Sequence, residues 1–209
     1  MSMPASIGKV TGIVSRQGIA GPELLLLEHP YFGNQFPAGT MEEGESPEDA
    51  VLREVAEETG LTGVAIAEYM GYAEEHPPPG TAIIGEWTHA YARPDPTSFD
   101  WAYLRRGIQV AISRRAGGFS QVTYVEHDRE PDPEYVTMQI TGWVPDDVLV
   151  TRQLRHCFHL THGGHTEERW RVFSDNHVFT VFWAPIGDLP DIIHFQVRWL
   201  EYLPESLRP

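Results

Sequence analysis

The stretch GTMEEGESPEDAVLREVAEETGL, Gly39 to Leu61, decides how this chain is read. It sets Glu42, Glu43, Glu45, Glu48, Asp49, Glu54, Glu57 and Glu58 around a single cation, Arg53. Local signals mark a short helix. Ser46 is a good N-cap, Pro47 suits the first turn, and Glu48 and Asp49 favour the positive end of the helix dipole. Gly60 is placed as a left-handed stop, so the spacing predicts a helix from about Pro47 to Thr59. Ala50, Val51, Leu52 and Val55 give that helix an apolar stripe to bury against a sheet.

Residues three or four apart on a helix are neighbours, so Glu54 lies beside both Glu57 and Glu58. Each like-charge pair at this spacing costs roughly 0.2–0.5 kcal/mol in an isolated helix, and Arg53 can meet only some of the acids. A sequence selected for stability alone would put cations there. Converging carboxylates suit Mg²⁺ or Mn²⁺, hard cations that take carboxylate and carbonyl oxygens. From the cluster alone, a solvated acidic face explains the pattern equally well.

Outward from this stretch, Lys9 to Ser15, Glu23 to Glu28 and Val64 to Tyr72 read as strands, and YFGNQFPAG reads as a turn-rich connection into the acidic segment. HPPPG, from His76, breaks any regular element. Beyond it, Gly107 to Ser113, Gln121 to Glu126 and Tyr135 to Trp143 alternate as strands do, which marks a β-rich insertion at about 76–150 in one domain spanning 1–209. Leu154 to Leu160 and His177 to Trp183 read as two strands joined by a polar loop with Gly163 and Gly164. Ile192 to Leu203 reads as a closing amphipathic helix stopped by Pro204. Strands on both sides of one strong helix predict a mixed α/β layered domain.

The 209 residues are long enough to bury a real core, and 41% hydrophobic with 22% charged residues is ordinary for a folded soluble chain. No apolar run approaches a membrane span, and MSMPASIGKV lacks the regions of a signal peptide, so the cytoplasm is the expected compartment. The lone Cys157 agrees with a reducing environment. A formal charge of −15 disfavours nucleic acid as a partner, because phosphate binding rests on clustered Lys and Arg. Lys9, the sole lysine, sits in SIGKVTG, which lacks the first glycine and the spacing of a P-loop.

The acidic stretch resembles the Nudix box, G-x5-E-x7-R-E-U-x-E-E-x-G-U with U apolar. Gly39, Glu45, Arg53, Glu54, Val55, Glu57, Glu58, Gly60 and Leu61 occupy its fixed positions. The likeness extends more loosely over Lys9 to Tyr72 and Leu154 to Leu203, where HVFTVFWAPIGDL looks like the family's late strand and turn. It implies an α/β/α sandwich and hydrolysis of a diphosphate linkage in a nucleoside diphosphate derivative with Mg²⁺ or Mn²⁺. By the same resemblance Glu57 and Glu58 would be the main metal ligands, helped by Glu54 and the Gly39 carbonyl. Arg53 would hold the glutamates, and Glu45 and Gly60 would support the loop and helix end. The general base would be Glu54 or a carboxylate elsewhere, among Glu126, Glu130, Glu134, Glu167 and Glu168. A ligand-sensing module without turnover and a diphosphate isomerase, for which Cys157 is the one thiol, are the alternatives. A homodimer fits the family's habit.

Two other constellations compete. His156, His159, His162 and His165 recur every third residue, but in a strand His156 and His159 point to opposite faces and cannot share a zinc ion without a bulge. Trp87, Trp101 and Trp143 fall in the insertion and Trp170 on the late loop; each is read as core or interface before ligand platform. GFSQV, around Ser120, lacks the second glycine of a nucleophile elbow.

Overall fold

Strands make up about half of the described residues. The structure, a computed structural model, describes residues 6–129, 132–174 and 177–208. In chain order the elements begin with β1 (Ile7–Gln17), β2 (Pro22–His29), β3 (Gly33–Gln35), β4 (Ala38–Thr40), α1 (Pro47–Thr59) and β5 (Ala65–Glu75). They continue as β6 (Thr81–Ile84), β7 (Thr88–Tyr91), β8 (Asp100–Leu104), β9 (Gln109–Ala116), β10 (Phe119–His127), β11 (Val136–Pro145) and β12 (Leu149–Val150). Last come β13 (Gln153–Thr161), β14 (Arg169–Ser174), β15 (His177–Pro185) and α2 (His194–Val197), followed by a 3-10 turn over Arg198–Tyr202. Among the described residues no helix is long and apolar enough to cross a membrane.

The backbone divides into two compact units, residues 6–8 with Glu74–Leu154, and Lys9–Ala73 with residues 155–208. In the second unit a mixed sheet runs in the order β14-β15-β2-β1-β13-β5, with β3 added to β2 and β4 to β1. One face buries Val10, Val14, Leu25, Leu27, Phe158 and Val181 against Ala50, Val51 and Val55 of α1. Gly12 lies where this packing is tightest: a β-carbon there would stand 3.0 Å from methyls of both Val51 and Val55. The other face buries Ile13, Leu24, Leu26 and Cys157 against Trp199 and Leu203 of the C-terminal segment. Helix, sheet and helical segment therefore form the three layers of an α/β/α sandwich.

The first unit is a single sheet, ordered β12-β6-β9-β10-β11-β7-β8. Its core is small and aliphatic: Ala82, Ile84, Val110, Val122, Val144 and Leu149 are all buried.

Three readings of the sequence need correction. The stretch between β13 and β15 is not only a loop: Arg169–Ser174 is strand β14, paired with β15 from Arg169↔Phe182 to Ser174↔His177, so Trp170 lies on a strand. The expected helix over Ile192 to Leu203 is one α-turn followed by a 3-10 stretch. Ile193 offers no side-chain cap, and buried Gln196 spends its amide on Phe36, accepting from its N–H at 2.6 Å and donating to its carbonyl at 3.2 Å. The turn-rich connection before the acidic segment contains the short strands β3 and β4, formed by pairing with β2 and β1.

Candidate active site

The helix begins and ends as its residues dictate. Ser46 Oγ accepts the Asp49 N–H at 3.1 Å and donates to the Asp49 carboxylate at 2.7 Å. Gly60 closes α1 with φ 70°, its N–H donating to the Ala56 carbonyl at 2.9 Å; a side chain would strain that left-handed turn. From across the sheet, Trp170 Nε1 donates to the Thr59 carbonyl at 2.7 Å and satisfies one of the helix's terminal acceptors.

Arg53 is the hub. Its Nε and one terminal nitrogen grip both oxygens of Glu45 at 2.8 and 2.9 Å, while the other terminal nitrogen donates to Glu54 at 2.9 Å and Glu57 at 3.0 Å. The Thr40 carbonyl accepts a further bond at 3.2 Å. Hydrogen bonds to Glu45, above all, hold the guanidinium above its ordinary range, against the opposing effect of burial. Glu45 also accepts the Glu42 N–H at 2.7 Å, which ties the preceding loop to the helix.

Strand β4 carries Gly39 to this cluster by pairing with β1, Val10 opposite Gly39 and Lys9 opposite Thr40. A β-carbon on Gly39 would lie 2.0 Å from the Glu54 carboxyl carbon, so only glycine lets the carboxylate lie against the backbone. Glu58 Oε2 accepts the Ala38 N–H at 2.9 Å. Glu54 and Glu58 are buried, whereas the Glu57 side chain is 54% exposed. The three carboxylates expected to converge are thus divided, Glu54 and Glu57 on Arg53 and Glu58 on the β4 backbone. Among the described residues no group of three or more His, Cys, Asp or Glu is gathered to hold a metal ion. The donor chemistry nevertheless fits a hard divalent cation: carboxylate oxygens and a bare glycine backbone meet within one turn of helix and one strand.

Lys9, unremarkable in the sequence, donates from Nζ to Thr40 Oγ1 at 2.6 Å, next to the carbonyl that Arg53 uses. No local signal could have placed it there, because the β1–β4 pairing does so. The other candidate bases are elsewhere. Glu168 pairs with Arg16 at 2.5 Å, Glu134 pairs with Arg129, and Glu130 lies outside the described residues. Glu126 is the penultimate residue of β10, and Glu167 is exposed.

The histidine series is dispersed. His156 Nδ1 and the Tyr69 hydroxyl are 2.9 Å apart on the α1 face, and His159 Nε2 lies 2.9 Å from Ser15 Oγ on the other. Burial lowers the pKa of both imidazoles. His162 lies near Trp183 at 6.3 Å between ring centroids. Cys157 is buried in the second core, and burial pushes its thiol up to about 12, far from a reactive thiolate.

A cleft of about 620 Å³ opens at the β14 edge, lined by Glu28, His29, Arg169, Trp170, Arg171 and Thr180. None of the box residues lines it. Arg169 donates to Glu28 at 2.6 Å and stacks over Phe182.

No curated protein matches the chain. Among solved structures, the Nudix domain of Shewanella oneidensis NrtR complexed with ADP ribose is similar at 15% identity, over 95% of this chain and 86% of that one, with a TM-score of 0.43. Residues 9–101, which include the whole acidic stretch, match the family model of the NUDIX domain. Over that segment, somewhat less than half of the 209 residues, the chain is similar to the Nudix family.

Proposed function

We propose that this protein hydrolyses a diphosphate linkage in a nucleoside diphosphate derivative or a related small phosphorylated compound, with Mg²⁺ or Mn²⁺ as cofactor. The observation that carries the reading is the placement of Glu54 against bare Gly39 while Arg53 grips Glu45, Glu54 and Glu57. Like charges on one helix turn are kept together at the cost of an internal cation, and that outlay makes sense for a site that handles a divalent ion.

Glu57 and Glu58 would hold the ion with help from Glu54 and the Gly39 carbonyl. When bound, the ion supplies Lewis-acid charge to the diphosphate and acidifies water. Glu57, held by Arg53 at 3.0 Å, is the exposed acid of the three, while buried Glu54 and Glu58 are held by Arg53 and the Ala38 N–H. We assign Glu54 the role of accepting the proton from the attacking water. Glu45 keeps Arg53 in register, and Gly60 fixes where the helix ends. We take residues 1–209 as one Nudix domain with a β-rich insertion at about 76–150.

A panel of nucleoside diphosphate compounds with Mg²⁺ or Mn²⁺ tests this. Turnover is expected, nearly abolished by Glu57→Gln or Glu58→Gln. Nucleotide binding without turnover in either metal would assign the chain to ligand sensing, and a product of unchanged mass would assign it to isomerisation.

A further inference from the structure

Lys9 is the sole lysine of a chain in which Asp and Glu outnumber Lys and Arg 30 to 15, and the fold sets it beside the acidic segment. β1 and β4 pair so that Lys9 stands opposite Thr40, Val10 opposite Gly39 and Thr11 opposite Ala38. Side chains alternate along a strand. Lys9, Thr11 and Thr40 therefore project from the face of this pair opposite to the one where the Glu54 carboxylate lies against Gly39. There the half-buried Lys9 donates from its ammonium to Thr40 Oγ1 at 2.6 Å, and Arg155 donates to Thr11 Oγ1 at 3.3 Å. Among the described residues β4 pairs with β1 alone, and along its other edge Glu58 accepts the Ala38 N–H while Arg53 donates to the Thr40 carbonyl. β4 is thus a ledge one strand thick, with carboxylates on one side and cations on the other.

We infer that Lys9 is a substrate-binding residue, whose ammonium holds the diphosphate from the face of β4 away from the carboxylates. The inference rests on the diphosphate reading proposed above. A diphosphate is a polyanion arriving at a chain of −15, and a divalent ion held among glutamates offsets only part of that repulsion. Consecutive residues stand about 3.8 Å apart, so an anion lying over the step from Gly39 to Thr40 is within reach of groups on both faces. Lysine suits the task as a compact point charge that makes charge-assisted bonds to phosphate oxygens without a fixed planar geometry. Thr40 orients the ammonium, and Arg155 adds a second positive charge to the same face. A tie between β1 and β4, by contrast, needs only a donor, which a neutral side chain supplies.

Being the sole lysine makes Lys9 directly readable: amine-specific modification followed by peptide mass spectrometry distinguishes it from the N-terminal amine. The probe is methylenediphosphonate with Mg²⁺, a diphosphate mimic that is not hydrolysed. It is expected to slow modification of Lys9 roughly ten-fold or more relative to the N-terminal amine. In turnover, Lys9→Gln keeps a neutral donor and should raise KM roughly ten-fold or more with little change in kcat, while Lys9→Arg should recover most of the loss. Equal modification rates with and without the probe overturn the inference, as does wild-type KM in Lys9→Gln. If Lys9→Gln does not fold, protection of the wild-type lysine decides. Protection without turnover of any compound keeps Lys9 on the diphosphate and removes hydrolysis, whereas turnover without protection removes the role of Lys9 alone.

Discussion

Replacing Arg53 with alanine should remove more stability than any other single change in the acidic segment. The guanidinium satisfies Glu45 with two bonds and Glu54 with one, and those carboxylates are only 13% and 11% exposed. Its contact with half-exposed Glu57 adds a few tenths of a kcal/mol at most. Breaking a buried pair by deleting one partner costs about 3–5 kcal/mol, because the partner is left desolvated and unpaired. Arg53→Ala takes the shared cation from both acids, and Glu45 keeps the Glu42 N–H, so about 3 kcal/mol is the working figure. Urea unfolding in chelator, followed by a probe in the unit that carries α1, measures it. A cycle with Glu45→Gln should give a coupling of about 1.5–3 kcal/mol, since the two side chains share two hydrogen bonds. Added Mg²⁺ should narrow the gap between variant and wild type. A loss below about 1 kcal/mol, or strict additivity with Glu45→Gln, refutes the hub role assigned to Arg53.

Three further outcomes are expected. Gly39→Ala should cost about 1–3 kcal/mol and most of any turnover, because the new methyl displaces the Glu54 carboxylate; unchanged urea midpoint and activity would contradict the close approach. His29, whose pKa burial and then His177 lower from 6.5 to about 4, binds its proton more readily when unfolded. Its contribution is complete above pH 6.5 and is lost as pH falls toward 4, so His29→Asn should flatten the stability–pH curve in that window and nowhere else. Cys157 should resist thiol reagents in the folded chain at pH 8.5 and react fully in denaturant; prompt labelling of the native protein would contradict its burial.

The helix was legible to the residue because its signals are local: a serine cap, a proline, a glycine stop and an apolar stripe lie inside a single segment. The long strands were legible too: β1 from β-branched residues and glycine, β2 from a compact apolar run, and β13 and β15 from their rhythm. β14 was not, since RWRVFS carries two arginines and becomes a strand only by pairing with β15 at the sheet edge. The four-residue strands β6 and β7 are likewise products of distant partners, β9 and β12 for one and β8 and β11 for the other. At the site, the identities of the acids could be read directly, but their division could not. That Glu58 would turn to the Ala38 N–H, and Lys9 to Thr40, depends on how β4 lies on β1.

The floor beneath α1 carries a consequence for how the chain matures. Val51 and Val55 rest on a core whose other half, Phe158, Leu160, Phe179, Val181 and Trp183, is encoded after residue 155, and the helix's last carbonyl waits for the indole of Trp170. A nascent chain emerging from the ribosome has its entire acidic segment and the near half of that floor, Val10, Val14, Leu25 and Leu27, long before the rest arrives. Cut at residue 101, where the family match ends, it would keep every box residue and lose the later half of the floor, so α1 is fully seated only in the final quarter of translation.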